Sequence, residues 1–190
     1  MENEKNEYKP DPSLSDRLLK TRTVMISGEI NKDRADQFAR EMLVLDSESS
    51  DPIYVYINSP GGDVDSGFAI YDIVRYVSSP VTMIGMGLVA SAAALIFLAV
   101  PAERRVGLPN STYLIHQPLS QLKGVAIDVA IYADKIEALR HKLDSVIAEA
   151  TGKTREEVEK DTERDCWLTA EEARNYGLLS KIIREKKEII

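Results

Sequence analysis

A serine attacks a peptide carbonyl only when a neighbouring base takes its proton, and near neutral pH that base is usually a histidine. The chain carries two histidines, His116 and His141. His141 lies between Arg140 and Lys142 in a stretch of helical periodicity, which puts it on a solvated face. His116 follows the apolar run Thr112-Tyr113-Leu114-Ile115 and precedes Gln117-Pro118. It ends a strand, where a side chain projects from a rigid edge, either as a base or as a hydrogen-bonded structural residue. Ser91 follows a strand that ends near Gly85 and Gly87, and it opens an alanine-rich apolar run. A serine at such a junction can point its hydroxyl into a cleft while N–H groups of the helix start face a developing oxyanion. It is also small enough simply to pack among Ala90, Ala92, Ala93 and Ala94.

Two further stretches complete the chemistry. Pro60-Gly61-Gly62 follows a strand and reads as a glycine turn, able to bring backbone N–H groups close to a ligand or merely to reverse the chain. Asp165 precedes Cys166-Trp167-Leu168, an apolar patch expected to draw it inward. A carboxylate there needs a partner, and a histidine N–H or the neighbouring Arg164 would serve. Acidic residues are abundant, so Asp165 stands out by context alone. Each fragment has a plain structural reading. Together they supply a nucleophile, a base, an acid to orient the base, and an oxyanion site, which makes a peptidase the leading expectation.

Composition narrows the alternatives. The chain has 190 residues, 44% of them hydrophobic, enough for one domain with a sizeable core. Its net charge of -7 argues against nucleic acid as a main partner and fits a protein kept soluble by like charge. The single cysteine, Cys166, permits no intrachain disulfide, which fits a reducing, cytoplasmic setting. A thiolate wants positive surroundings, so Cys166 beside Asp165 reads as inert. No metal-ligand cluster and no phosphate-binding glycine motif is legible. The start of the sequence lacks the apolar core of a secretory signal. The uncharged run from Leu88 to Pro101 is too short to span a bilayer, so no membrane association is expected.

Strands and helices alternate. Residues 1–16, polar and interrupted by Pro10 and Pro12, read as a flexible arm. Strands are expected at Thr23 to Ser27, Ile53 to Ile57, Val81 to Gly85, Thr112 to Ile115 and Lys181 to Ile183. Helices are expected from Asp33, as cap, to Leu45, from Asp65 to Val77, from about Ser91, and from Ala126 to Ala150. The last of these carries Ile136, Leu139, Leu143, Val146 and Ala150 at three- and four-residue steps and ends at Gly152. Thr154 with Glu157, and Thr169 with Glu172, have the spacing of capping boxes. The pattern predicts an α/β fold.

Taken together, these residues resemble the Clp protease family of serine peptidases from about Leu18 to Ile183. The most specific stretches are Tyr54-Val55-Tyr56-Ile57-Asn58-Ser59-Pro60-Gly61-Gly62, Leu108-Pro109-Asn110-Ser111, Ile115-His116-Gln117-Pro118 and Asp161-Thr162-Glu163-Arg164-Asp165. Leu168 to Leu178 matches the family's C-terminal helix and turn. The resemblance implies a crotonase-like fold of strand-strand-helix units with a protruding handle helix. An arm over 1–17 would precede a single peptidase domain over 18–190, with the handle over 117–150. It implies Ser91 as nucleophile, His116 as base, Asp165 as the acid that holds the imidazole, and the N–H groups of Gly62 and Ala92 as oxyanion hole. Leu119 to Gly124 would pair with the substrate backbone, and Glu163 and Arg164 would touch a second ring. Tyr54, Tyr56, Tyr76, Ile84, Met86, Val106, Leu108 and Ile183 match an apolar pocket that docks an AAA+ ATPase. Two stacked heptameric rings would enclose the site. No cofactor is implied for this chain, ATP being used by the partner.

Four places depart from the family pattern. The arm before Leu18 is short, Asp63 follows the oxyanion glycine, Ser120-Gln121 replaces two glycines, and Val100-Pro101 ends the Ser91 helix. These motivate an alternative reading as a weakly active or regulatory ring subunit that needs a paralogous partner. A crotonase-type acyl-CoA enzyme would share the fold and oxyanion hole but needs no serine, histidine and aspartate set.

Overall fold

The computed structural model describes residues 12–119 and 124–189. In chain order its elements are α1 (Pro12–Leu19), β1 (Thr23–Ile30), α2 (Lys32–Glu48), β2 (Ile53–Gly62), α3 (Val64–Tyr76), β3 (Val81–Ala90) and α4 (Ala92–Phe97). Then come β4 (Arg105–Gly107), β5 (Thr112–Ile115), α5 (Ala126–Thr151), α6 (Arg155–Thr162), β6 (Cys166–Thr169), α7 (Ala170–Tyr176) and β7 (Lys181–Ile182). Single 3-10 turns lie at Ala102–Arg104 and Lys186–Glu188. Helix α1 takes up the end of the stretch expected to be a flexible arm.

Strands β1, β2 and β3 run parallel, with β1 at one edge of the sheet and β2 and β3 inside it. Strand β3 then serves two neighbours in turn. Its first half pairs with β4 through Met83–Arg105 to Gly85–Gly107, and its second half with β5 through Leu88–Thr112 to Ala90–Leu114. Strand β7 extends the sheet beyond β4, and β6 pairs antiparallel with β5. The change of neighbour needs a bend. Gly87 makes it with φ of 57°, and the ladder to β2 slips between Ile57 and Ser59. Asn58 fills the gap, its Oδ1 accepting from the Leu88 N–H at 3.0 Å. A Cβ on Gly87 would stand 2.6 Å from that oxygen, so only glycine fits.

Periodicity explains the packing. Helix α2 buries Ala35, Phe38, Met42 and Leu45, one face of a 3.6-residue repeat, and β2 buries Ile53, Val55 and Ile57 on alternate positions. Helix α2 is capped by Asn31, whose side chain accepts from the Arg34 N–H, and not by Asp33, which sits in the first turn where its charge favours the helix dipole. Both expected capping boxes are present at Thr154 and Thr169. The short strands β4 and β6 had no clear alternation to reveal them. Strands β2 and β3 also run five residues past their expected ends, through the glycines read as breakers.

The expected apolar face of α5 is only half covered. Asp144 and Ile147 are its buried residues, while Ile127, Ile131 and Tyr132 are exposed. The first half of the helix is exposed, and the helix packs mainly on α6 and α4. A cavity of 660 Å³ lies where the C-terminal ends of α3, α4 and α5 converge. Buried Arg105 donates there to the Ala150 carbonyl at 2.7 Å, a cation placed against a helix C-terminus.

Gly85 does not end the strand as expected but has a packing role within it. A Cβ there would overlap the hydroxyl of fully buried Tyr113, and one on Gly107 would lie 2.5 Å from the same oxygen. That hydroxyl accepts from Ser111 Oγ at 3.1 Å, and burial pushes its pKa up to about 12. Gly85→Ala is expected to destabilise the fold by about 1–3 kcal/mol through overpacking. Tyr113→Phe in the same chain should restore part of the loss by removing the clashing oxygen, a coupling read from urea midpoints of the four variants.

Candidate active site

Strand β3 delivers Ser91 to the start of α4 in a strained turn. Its φ of 56° and ψ of -122° lie where a side chain is disfavoured, and only Arg22 shares a positive φ among the described non-glycine residues. Such a conformation costs on the order of 1–3 kcal/mol and persists only where its surroundings fix it. Here the Ser91 N–H donates to the Leu114 carbonyl at 2.9 Å, and its own carbonyl accepts from Ala94 and Leu95. Packing among alanines would need no such strain. Ser91 instead lines a cleft of 390 Å³ with Gly62, His116 and Asp165.

The glycine stretch is strand, not turn. Gly61 and Gly62 pair with Glu29 and Ile30 of β1, with φ of 91° and 150°. A Cβ on Gly61 would stand 2.7 Å from the Ser91 Cβ and 3.0 Å from the Ala92 nitrogen, and one on Gly62 would overlap the Ile30 carbonyl. Absent side chains therefore let β2 lie directly against the Ser91-Ala92 turn. Asp63, next in the chain, is the N-cap of α3. Its Oδ1 accepts from the Ser66 N–H at 2.7 Å and from the Ser66 hydroxyl at 2.5 Å. The carboxylate is thus paired beside the glycines and committed to the helix.

Register brings the other two groups together. In β5 and β6, Thr112 faces Thr169 and Ile115 faces Cys166, so the next pair in line is His116 opposite Asp165. Directly opposed residues in antiparallel strands have Cβ atoms about 5 Å apart. The His116 Nδ1 lies 3.5 Å from Asp165 Oδ1, an ion-pair distance longer than an ordinary hydrogen bond of about 2.7–3.2 Å. The imidazole is 11% exposed and the carboxylate 59%. Asp165 is therefore not drawn inward as expected. Strand β6 lies on the sheet edge and alternates half-buried and exposed residues, and Trp167 is itself 54% exposed.

The segments flanking the pair are pinned. The Gln117 N–H donates to the Thr162 carbonyl at 2.8 Å, and Gln117 Nε2 to the Glu163 carbonyl at 2.7 Å. Thr162 is fully buried, and its hydroxyl donates to Asp144 Oδ1 on α5 at 2.9 Å. Asp144 Oδ2 is buried without a hydrogen bond, 3.8 Å from Arg140 Nε. Burial holds this carboxyl above the usual Asp range, with the Thr162 hydrogen bond and Arg140 pulling the other way. No feature of the sequence marked Asp144, which falls on the stripe beside the apolar positions of α5.

The remaining expected residues separate into groups. Ile84, Val106 and Ile183 are the buried centre of a second apolar cluster, with Tyr54, Tyr56, Leu108 and Ile189 packed on it. Tyr76, 77% exposed, and half-buried Met86 are not among the residues of that cluster. Glu163 and Arg164 are exposed, as is Leu119, while Ser120-Gln121 lie outside the described residues. Burial and the carboxylates of Asp161 and Glu172 push the Cys166 thiol up, against nucleophilic use. His141 sits on the surface of α5, within 3.6 Å of Glu137 and Glu159.

A strained serine at a strand-to-helix turn, glycine backbone against it, and a histidine–carboxylate pair in the same cleft define the class of serine hydrolases. Comparison with known proteins is more specific. The model of the Clp protease family matches residues 6–186. The ATP-dependent Clp protease proteolytic subunit 2 of Treponema denticola is 51% identical over 99% of this chain and 94% of its own length. The subunit 2 of Pseudomonas aeruginosa is 46% identical over 93% and 88%. A mutant of ClpP1 from Listeria monocytogenes superposes with a TM-score of 0.87 at 41% identity, covering 93% of this chain and 99% of that one. The chain belongs to the Clp protease family. It is a serine peptidase subunit with that family's crotonase-like fold. Among the described residues no helix is long and apolar enough to cross a membrane.

Asp144 gives this site a measurable electrostatic signature. Its raised pKa means that the folded chain holds this proton more tightly than the unfolded chain. Its contribution to stability is thus greatest below the ordinary Asp pKa and is lost as pH rises through the raised one. Asp144→Asn is expected to flatten this decline, as measured by urea midpoints from about pH 4 to about pH 7.

Proposed function

We propose that this chain hydrolyses peptide bonds with Ser91 as nucleophile, His116 as general base and Asp165 as the group that orients His116. Ser91 Oγ attacks the scissile carbonyl as its proton passes to His116 Nε2. The Asp165 carboxylate stabilises the imidazolium through Nδ1. The N–H groups of Gly62 and Ala92 receive the oxyanion, close to the N-terminus of α3, whose dipole favours negative charge. The imidazolium then protonates the leaving amine, and water releases the acyl group from Ser91. The observation that carries this reading is the pairing register, which joins the three groups in one cleft through neighbouring strands.

The 3.5 Å His116–Asp165 separation and the exposed carboxylate favour a second stage to this reading. Contacts that shield Asp165 strengthen the pair, because an ion pair gains when water is removed and the geometry closes. Subunit assembly supplies such contacts. The exposed apolar stretch of α5, with Ile127, Ile131 and Tyr132, suits a handle that packs against a second ring, and exposed Glu163 and Arg164 suit charged contacts there. The second apolar cluster, with Tyr54, Tyr56 and Leu108, suits docking of an AAA+ ATPase that consumes ATP and feeds unfolded protein. Relatives numbered as subunits 2 and 3 favour a mixed assembly in which a paralogous subunit completes the activity.

Wild-type protein is expected to take up a fluorophosphonate at Ser91 and to cleave short apolar peptides. Ser91→Ala should lose both, with peptidase turnover falling by roughly 10³-fold or more. A folded, assembled sample that never labels would overturn the active-alone reading, and labelling only after a paralogous subunit is added would establish the mixed one. At 21.2 kDa per chain, two seven-membered rings weigh on the order of 300 kDa. Ile131→Asp, which charges the exposed face of α5, is expected to shift native mass to a smaller species and lower peptidase activity with it.

A further inference from the structure

The residues that follow β7 fold back onto the second apolar cluster. The N–H groups of Arg184 and Glu185 both donate to Glu188 Oε1, at 3.0 and 2.7 Å. The Glu188 N–H returns to the Glu185 carbonyl at 3.0 Å, and the Ile189 N–H to the Lys186 carbonyl at 3.1 Å. Lys181 Nζ fastens the turn from β7 by donating to the Glu188 carbonyl at 3.0 Å. The product is a closed single turn made of charged residues, Glu185-Lys186-Lys187-Glu188, carrying one apolar side chain. That side chain, Ile189, packs on buried Ile84, Val106 and Ile183 beside Tyr54, Tyr56 and Leu108.

We propose that the hook from Glu185 to Ile189 is an autoinhibitory plug, with Ile189 in the seat that a partner's aliphatic side chain takes on docking. This rests on the reading of the cluster as an ATPase docking surface. Three physical features support it. The cluster is aliphatic at its floor and aromatic at its rim, which suits one branched aliphatic side chain. The hook is held by its own local hydrogen bonds and one lysine, so it swings away without disturbing the sheet. Its residues Glu185 to Lys187 are exposed and Glu188 is half-buried, so its ordering is opposed by chain entropy with little burial to offset it. A plug of that kind is weak by construction. It covers apolar surface in the free subunit and yields to a partner that offers more contacts.

Ile189→Ser tests the plug in the full-length, assembled protein. Two readouts apply: binding of the apolar dye anilinonaphthalene sulfonate, and the concentration of a Clp-family ATPase giving half-maximal degradation of an unfolded protein. The second is normalised to cleavage of a short peptide by the same sample. The variant is expected to bind more dye and to need several-fold less ATPase. Tyr56→Ala, in the rim, serves as the control for docking itself. If Tyr56→Ala loses ATPase-dependent degradation while Ile189→Ser leaves the half-maximal concentration unchanged or raises it, Ile189 is no plug and the proposal falls alone. If Tyr56→Ala has no effect, the docking reading falls and takes the plug with it.

Discussion

The bend in β3 is the constraint on which the rest depends. A straight β3 would keep one neighbour throughout, and its end would never reach β5. Gly87 permits the turn, and the Asn58 side chain replaces the backbone bond that the ladder loses there. Beyond the bend the sheet is a different surface. The halves of β2 and β3 before it carry the apolar cluster of Ile84 and its neighbours, and the halves after it carry Gly61, Gly62 and Ser91. One side-chain amide thus separates a surface suited to partners from a surface suited to chemistry.

Strain and close approach are concentrated on the Ser91 side of that bend. Ser91 adopts a conformation disfavoured for any side chain, and Gly61 and Gly62 admit backbone where no Cβ could stand. The surroundings supply the compensation: β5 accepts the Ser91 N–H, and α4 behind it is buried along its whole length. Asp63 shows the same economy. A carboxylate beside the proposed oxyanion site would oppose the reaction if free, yet Ser66 and the start of α3 hold it as a cap.

Much of this was legible in the residues, for physical reasons that differ by element. Strong alternation in Ile53, Val55 and Ile57 announced β2, and Thr-to-Glu spacing announced the caps of α6 and α7. Glycines misled, because a glycine that breaks a strand and one that lets another chain segment approach look alike in sequence. Gly61, Gly62 and Gly85 are of the second kind. The burial of Asp165 was misjudged because its apolar neighbours belong to an edge strand with one face open. Asp144 was invisible, since its partner Thr162 lies eighteen residues away and meets it only through the packing of α6 on α5. The placement of Ile189 was equally hidden, as nothing in a run of mixed charges shows where the chain doubles back.

The edge position of β6 has a thermodynamic consequence. Strand β6 has four residues and one paired neighbour, whereas β3 is held along both sides. Opening free energies within a fold follow such differences, so peripheral units release long before the core does. The carboxylate partner of His116 therefore belongs to a less cooperative unit than Ser91. With the proposed role of Asp165, detachment of that one strand would silence the cleft while leaving the molecule folded by every global measure. Catalytic competence and conformational stability are, in this architecture, separate quantities, and a melting temperature reports only the second.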